Sequence, residues 1–381
     1  MKTLLLLALL AAPALAQTPP QKPPLKPPQK PPMQAVPPIH ITGTPDKRTV
    51  AQGDFVIKNF TFASGEHLPE LRQHYRTLGA PRSDEKGNIV NAIMVMHGTG
   101  GSGAQFLVPQ FADELYGPGQ PLDIQKYFII LPDAIGHGGS SKPSDGLRMA
   151  FPKYDYADMV AAQQQMLTEH FRIKQLRLLM GTSMGCMMGF QFGTDYPQAA
   201  RAIMPLACNT VPLAGRNRIW RAIAIDAIKA DPDWQGGNYT KQPTNGPKVG
   251  VALQVMASSA PLRMQAQWPT REASDKAAAD LMAAGIANSA DANDRIYQLD
   301  ASRNYNPSPD LARITVPVTW INSADDFINP PNLGLAERDV TKLPKGKFVL
   351  IPETAETRGH STHTWAMFWK QELIDLLKRS E

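Results

Sequence analysis

The chain has 381 residues, 43 % of them hydrophobic, and carries 39 Lys and Arg against 34 Asp and Glu, a net charge of +5. Lys2, Lys22, Lys26 and Lys30 all precede the first acidic residue, Asp46, so the body from residue 39 onward is left with a net of only +1. That near-neutral body has no Lys/Arg cluster, which argues against a nucleic-acid partner, and no stretch approaches the ~18 apolar residues of a membrane span.

Residues 1–16 run from Met1-Lys2-Thr3 through an apolar stretch to Ala14-Leu15-Ala16. A basic start, a short apolar run and an Ala-x-Ala site predict a cleaved signal peptide and a secreted or periplasmic location. Residues 17–38 repeat Pro-Pro-x-Lys three times. Proline fixes φ and lacks an amide donor, so this part reads as an extended, disordered spacer, with a ligand for a proline-binding module or a tether to an anionic surface as the alternatives. The two cysteines, Cys186 and Cys208, allow one disulfide or two buried thiols.

The body divides into a core over 39–211, a helical insertion over 212–311 and a second core part over 312–381. Residues 55–62 predict a strand at an antiparallel edge. Apolar runs at 91–96, 127–131, 176–180 and 202–207 predict buried strands, with helices over 156–170 and 184–194 between them. Strands alternating with helices imply a mostly parallel sheet covered on both faces. The insertion is Ala-, Met- and Gln-rich, with helices over 219–230 and 273–287. Placed after a strand of such a sheet, it would sit over the strand ends as a lid. Two more strands follow at 316–322 and 347–351, then a helix over 364–379.

The chemistry is carried by Gly181-Thr182-Ser183-Met184-Gly185, between a strand and a helix. Its glycines permit a sharp turn that projects a serine hydroxyl above the sheet, the context in which Gly-x-Ser-x-Gly marks a nucleophile. Such a serine needs a base held by an acid, in the chain order Ser, acid, His. Only two histidines follow Ser183, and both lie in Gly359-His360-Ser361-Thr362-His363; His360 is preferred for its preceding glycine, with His363 as alternate. The acid is Asp326, with Asp325 as alternate, directly after strand 316–322; Asp300 and Asp310 read as helix caps.

An oxyanion hole needs two amides. Met184, after the nucleophile, supplies one. Thr99, with Gly100 as alternate, supplies the other from His97-Gly98-Thr99-Gly100-Gly101-Ser102-Gly103. His97 reads as a loop-fixing residue, and the loop lacks the Gly-Lys-Ser/Thr ending of a phosphate-binding loop. No paired His at helical spacing and no Cys-x-x-Cys is present, so neither a metal nor a cofactor is expected.

From about residue 52 to its end the chain resembles the homoserine O-acetyltransferase group of α/β-hydrolases. The likeness rests on Gly181-Thr-Ser-Met-Gly-Cys-Met, on Phe151-Pro152, Asp158-Met159-Val160 and Gln163, and on residues 230–239. It implies an α/β-hydrolase fold, with a mostly parallel eight-stranded sheet, helices on both faces and a helical lid. It also puts Asp326 and His360 at the family's acid and base positions. Where that group carries Gly-Ser-Thr-Gly-Pro, this chain has Gly139-Ser140-Ser141-Lys142-Pro143, and no homoserine-binding arginine can be transferred to a position here. Acetyl-CoA is cytosolic, so an exported relative would meet water instead. The expectation is therefore an exported serine hydrolase cleaving an ester, amide or lactone through an acyl-enzyme. O-acyltransfer by the same triad is the alternative, and a non-catalytic binding protein is the second alternative. The partner is a small-molecule acyl substrate, with a homodimer left open.

Overall fold

The computed structural model describes residues 50–381. The leader and the Pro/Lys-rich spacer lie outside the described residues. Eight strands form one sheet: β1 Ala51–Thr61, β2 His67–Leu78, β3 Ala92–Met96, β4 Phe128–Pro132, β5 Leu178–Thr182, β6 Ile203–Leu206, β7 Val318–Ser323 and β8 Gly346–Ile351. Their order is β1-β2-β4-β3-β5-β6-β7-β8. Only β2 runs against its neighbours; every pairing from β4 to β8 is parallel. The central strands β3 to β7 are buried along their whole length, which explains their continuous apolar text.

One strand escaped the sequence reading. β2 is HLPELRQHYRTL, and only some of its side chains are buried. It holds its place through its register with β1, Phe55 opposite Gln73 and Ile57 opposite Leu71. An edge ribbon with one wetted face does not need an apolar run.

Helices cover both faces. α1 Pro109–Leu115, α2 Tyr156–Gln165 and α3 Met184–Asp195 lie in the first half, and α9 Leu335–Val340 and α10 Lys370–Arg379 in the last part. Asp155 caps α2 by accepting from Ala157 N and Asp158 N, and Asp158 reciprocates from the Asp155 amide. The helical text at 156–170 ends in a π-turn, Met166–His170. At the C-terminus the regular helix starts at Lys370, not at 364, because residues 359–368 are taken up by two short 3-10 turns around the buried Gly359, His360 and Ala366. The core splits across the sheet. Met94, Met184, Phe190 and Trp320 pack on one face, and Ile93, Phe111, Met180 and Trp369 on the other.

Between β6 and β7 the described chain is helical: α4 Gly215–Ala230, α5 Asn245–Ala257, α6 Pro261–Gln267, α7 Arg271–Ala287 and α8 Ala292–Asp300. A small core of its own, with Trp220, Ala224, Ile228, Ile296 and Leu299, joins α4 to α8. The stretch 231–239 ties these helices together. Asp231 accepts from Asn245 N and Gly246 N at the start of α5, Trp234 donates to Asn293, and Tyr239 donates to Asp291 at the cap of α8. The segment also latches onto the core domain, since Asp294 accepts from Ser144 N at 2.8 Å and from its hydroxyl at 2.7 Å.

Candidate active site

Ser183 sits between β5 and α3 with φ 54° and ψ −112°, a conformation that an L-residue adopts only under constraint. The constraint is visible on both sides. A Cβ on Gly181 would lie 2.1 Å from Gly185 O, and one on Gly185 would lie 2.0 Å from Met96 O. Only glycines let β5, α3 and β3 approach this closely. Ser183 N is anchored to Leu206 O at 2.8 Å, and its side chain keeps partial exposure. Strain of this kind persists where the surroundings over-determine it, and here it raises the hydroxyl above the sheet.

His360 Nε2 lies 2.8 Å from Ser183 Oγ, and His360 Nδ1 lies 2.8 Å from Asp326 Oδ2. Asp326 is buried, yet its oxygens are filled: Oδ1 accepts from Ile328 N and Asn329 N, and Oδ2 also accepts from Asn329 Nδ2 at 3.2 Å. Burial alone would push its carboxyl up. The His360 ring and the Asn329 donors outweigh that and hold it below the ordinary carboxylate value. An acid in this position stays ionised and fixes the imidazole with its proton on Nδ1 and its acceptor towards Ser183.

The alternates occupy other posts. Asp325 turns away from the imidazole: it accepts from Thr357 Oγ1 and Gly359 N, both at 2.8 Å, and from Ser323 Oγ. It therefore anchors the loop that carries His360. His363 is packed edge-on against His360 with ring centres 5.1 Å apart, and its Nδ1 has no partner. Burial, then the His360 charge, depress it to about 3, so it is neutral and touches neither Ser183 nor Asp326 by a hydrogen bond.

The loop after β3 runs directly beside Ser183, since a Cβ on Gly98 would be 3.3 Å from Ser183 Cβ. Its own amides are partly committed: Gly98 N donates to Gln105 Oε1, and Gly101 N donates to Gly98 O. Among the described residues no acceptor takes the amides of Thr99, Gly100 or Met184. His97 is buried and locked, with Nδ1 donating to Gly98 O at 2.8 Å and Nε2 accepting from Ala134 N at 3.0 Å. Burial keeps it below the usual imidazole value, which suits a neutral strut. Three residues that sequence reasoning passed over complete the frame. Gln105 bridges Gly98 to Thr182, Asn329 holds both Asp326 and Ala207 O, and Asp133 gathers Gly103 N, Gly139 N and Arg76. None stands in a motif; each has a partner remote in sequence.

A cavity of about 420 Å³ opens beside Thr99, Gly100 and Ser361 and is roofed by α5 and α7. A second, of about 630 Å³, lies against Met187, Asn209, Arg216 and Asn329 on the acid side. Among the described residues no group of three or more His, Cys, Asp and Glu is placed to hold a metal. Cys186 on α3 and Cys208 after β6 form a disulfide, with Cα atoms 5.9 Å apart.

Residues 91–357 match the family described as alpha/beta hydrolase fold. The chain belongs to that family. A homoserine O-acetyltransferase of Moorella thermoacetica is 37 % identical over 207 residues, 50 % of this chain and 53 % of the relative. The chain spans about half the length of the curated relatives it matches. Among solved structures, homoserine O-acetyltransferase from Bacillus anthracis superposes with a TM-score of 0.75 at 20 % identity, over 87 % of this chain and 98 % of that one. Esterase E22 superposes with 0.74 at 18 %, over 86 % and 100 %. At those identities the superpositions speak for the fold. By name, the similar proteins divide between homoserine O-acetyltransferases and esterases.

Proposed function

We propose that the chain moves an acyl group through a covalent ester on Ser183, with His360 as base and Asp326 as its orienting acid, and passes it to an acceptor hydroxyl. The observation that supports this most is the line Asp326–His360–Ser183, two bonds of 2.8 Å each. His360 Nε2 takes the proton of Ser183 Oγ as the oxygen attacks the acyl carbonyl. The amides of Met184 and Thr99, or Gly100, receive the oxyanion, and His360 returns the proton to the leaving group. The acceptor oxygen then repeats the sequence in reverse, losing its proton to His360 and releasing the ester.

Sequence alone put water first as the acceptor. The curated relatives favour an alcohol, since homoserine O-acetyltransferases stand at 30–37 % identity. Hydrolysis keeps a second place on one specific observation, the Cys186–Cys208 bridge. A disulfide fits an oxidising compartment, as does the proposed leader, and acetyl-CoA is absent there. The two readings differ only in the last nucleophile. Incubation with a chromogenic acyl ester, with homoserine or other small alcohols and without them, separates them. Transfer product in excess of free acid supports acyltransfer, and free acid alone leaves hydrolysis. Failure of Ser183 to label with a fluorophosphonate would overturn both in favour of a non-catalytic scaffold.

A further inference from the structure

A group of buried polar side chains without well-aligned hydrogen bonds lies near the site, around α4 and α8. Arg221 on α4 is only 3 % exposed; its Nε donates to Asn217 Oδ1, and its Nη1 has no partner. Around it, the buried Tyr156 hydroxyl and Thr99 Oγ1 likewise make no well-aligned hydrogen bond, and the neutral groups Tyr156, Thr99 and Ser302 lie close to one another beside the Arg221 guanidinium. Arg295 on α8 donates through Nη2 to the neutral Gln254 at 2.6 Å. Among the described residues neither guanidinium has a carboxylate partner. Of the acids on α8, Asp300 pairs instead with Arg218 and Arg303, and Asp294 accepts from Ser144. Burial, and then the Arg221 charge beside it, hold Arg295 down at about 10.

Arg221 is buried without a counter-charge and has a second, half-buried guanidinium, Arg295, beside it, an arrangement that is costly. An anion would offset that cost, and the cavity leads to where one would sit. Arg295 lines it together with Thr99, Gly100 and Ser361, while Val251 and Leu281 give its roof an apolar face. A Cβ on Gly100 would lie 2.7 Å from Arg295 Nη1, just as one on Gly98 would lie 3.3 Å from Ser183 Cβ. The loop 98–100 thus has the serine against one end and the guanidinium against the other. Two peptide units span at most ~7 Å, so the serine and the guanidinium flank one short loop.

We propose that Arg295, backed by Arg221, forms an anion subsite that binds a carboxylate or phosphate carried by the acyl donor or the acceptor. The planar guanidinium fork suits either head bidentately. The assignment rests on the acyl-serine reading for its meaning, but not for its test.

Ser183→Ala protein is titrated calorimetrically with monomethyl glutarate, with neutral dimethyl glutarate and with a phosphate-headed methyl ester of the same length. The same three ligands are then titrated into Ser183→Ala/Arg295→Gln and Ser183→Ala/Gln254→Ala proteins whose folding has been checked by circular dichroism. One of the charged esters is expected to bind at least about tenfold more tightly than the neutral one. That preference is expected to vanish with Arg295→Gln and to survive Gln254→Ala; which charged ester binds tighter names the head. Three results would overturn the subsite: equal binding of charged and neutral esters, no binding of either charged ester up to roughly 10 mM, or a preference that survives Arg295→Gln. Loss of the preference with Gln254→Ala as complete as with Arg295→Gln would reduce Arg295 to a latch between α5 and α8, and would also overturn it. Since titration needs no turnover, a chain that binds the charged ester yet never acylates Ser183 would refute the functional reading and leave the subsite standing.

Discussion

Reducing the Cys186–Cys208 bridge tests how the elbow is held. The bridge joins α3, three residues beyond Ser183, to the segment after β6, and the two residues are 22 apart in sequence. Closing a loop of that length removes roughly 11 cal/mol/K of entropy from the unfolded chain, or about 3 kcal/mol at 25 °C. An unfolding entropy near 2.1 cal/mol/K per residue gives about 0.7 kcal/mol/K for a body of roughly 330 residues. The oxidised protein should therefore melt about 5 °C above the reduced one. Both sulfurs are buried, at 0 % and 1 % exposure, so reduction is best done on unfolded protein that is then refolded with reductant present. Comparing oxidised and reduced forms of one chain keeps both sulfur atoms in the core and isolates the cross-link. Melting followed by circular dichroism, with guanidinium titration alongside, reads the difference. A gap below about 1 °C, or below about 1 kcal/mol by titration, would refute the chain-entropy reasoning. It would mean that β5, β6 and α3 hold this region without the bridge.

The two adjacent acids should separate by function. Asp326→Asn is expected to lower kcat by about 10⁴-fold through loss of the correct imidazole tautomer. Asp325→Asn, which loosens only the loop at Gly359, is expected to cost up to about 10²-fold; equal losses would contradict the division of labour seen in their hydrogen bonds. Asp294 is raised from 3.8 to about 6, chiefly by burial. A raised carboxyl contributes its stabilisation in full below pH 3.8 and loses it as pH climbs through about 6. The stability of Asp294→Asn relative to wild type should thus increase by about 2–3 kcal/mol between pH 4 and pH 7, measured by denaturant unfolding. A pH-independent difference would show that the Ser144 bonds already offset the burial. Gly185→Ala places a methyl 2.0 Å from Met96 O, so the elbow must move. The expected result is a loss of about 3 kcal/mol in stability together with at least ~10²-fold slower labelling of Ser183 by a fluorophosphonate. Wild-type labelling in that variant would show that the turn does not need the close approach.

What the sequence by itself determined is local chemistry and order. The central strands β3 to β7 are buried on both faces, so each had to be apolar throughout and each was readable. Ser183 was readable because the turn demands glycines at two fixed offsets, and the base because only two histidines follow it. Only the tertiary structure decided between neighbours. Asp326 and His360 meet at 2.8 Å, while Asp325 turns to Thr357 and Gly359 and His363 stays beside the ring. Adjacent residues in a loop share a composition but not a direction, so no pattern could choose between them. The same limit applies to β2, whose partly wetted face erased the apolar signal, and to the pairing of Cys186 with Cys208. It applies most to Arg221 and Arg295. In sequence they are two arginines on two helices; their want of a counter-charge exists only where α4 and α8 pack together over the loop beside Ser183.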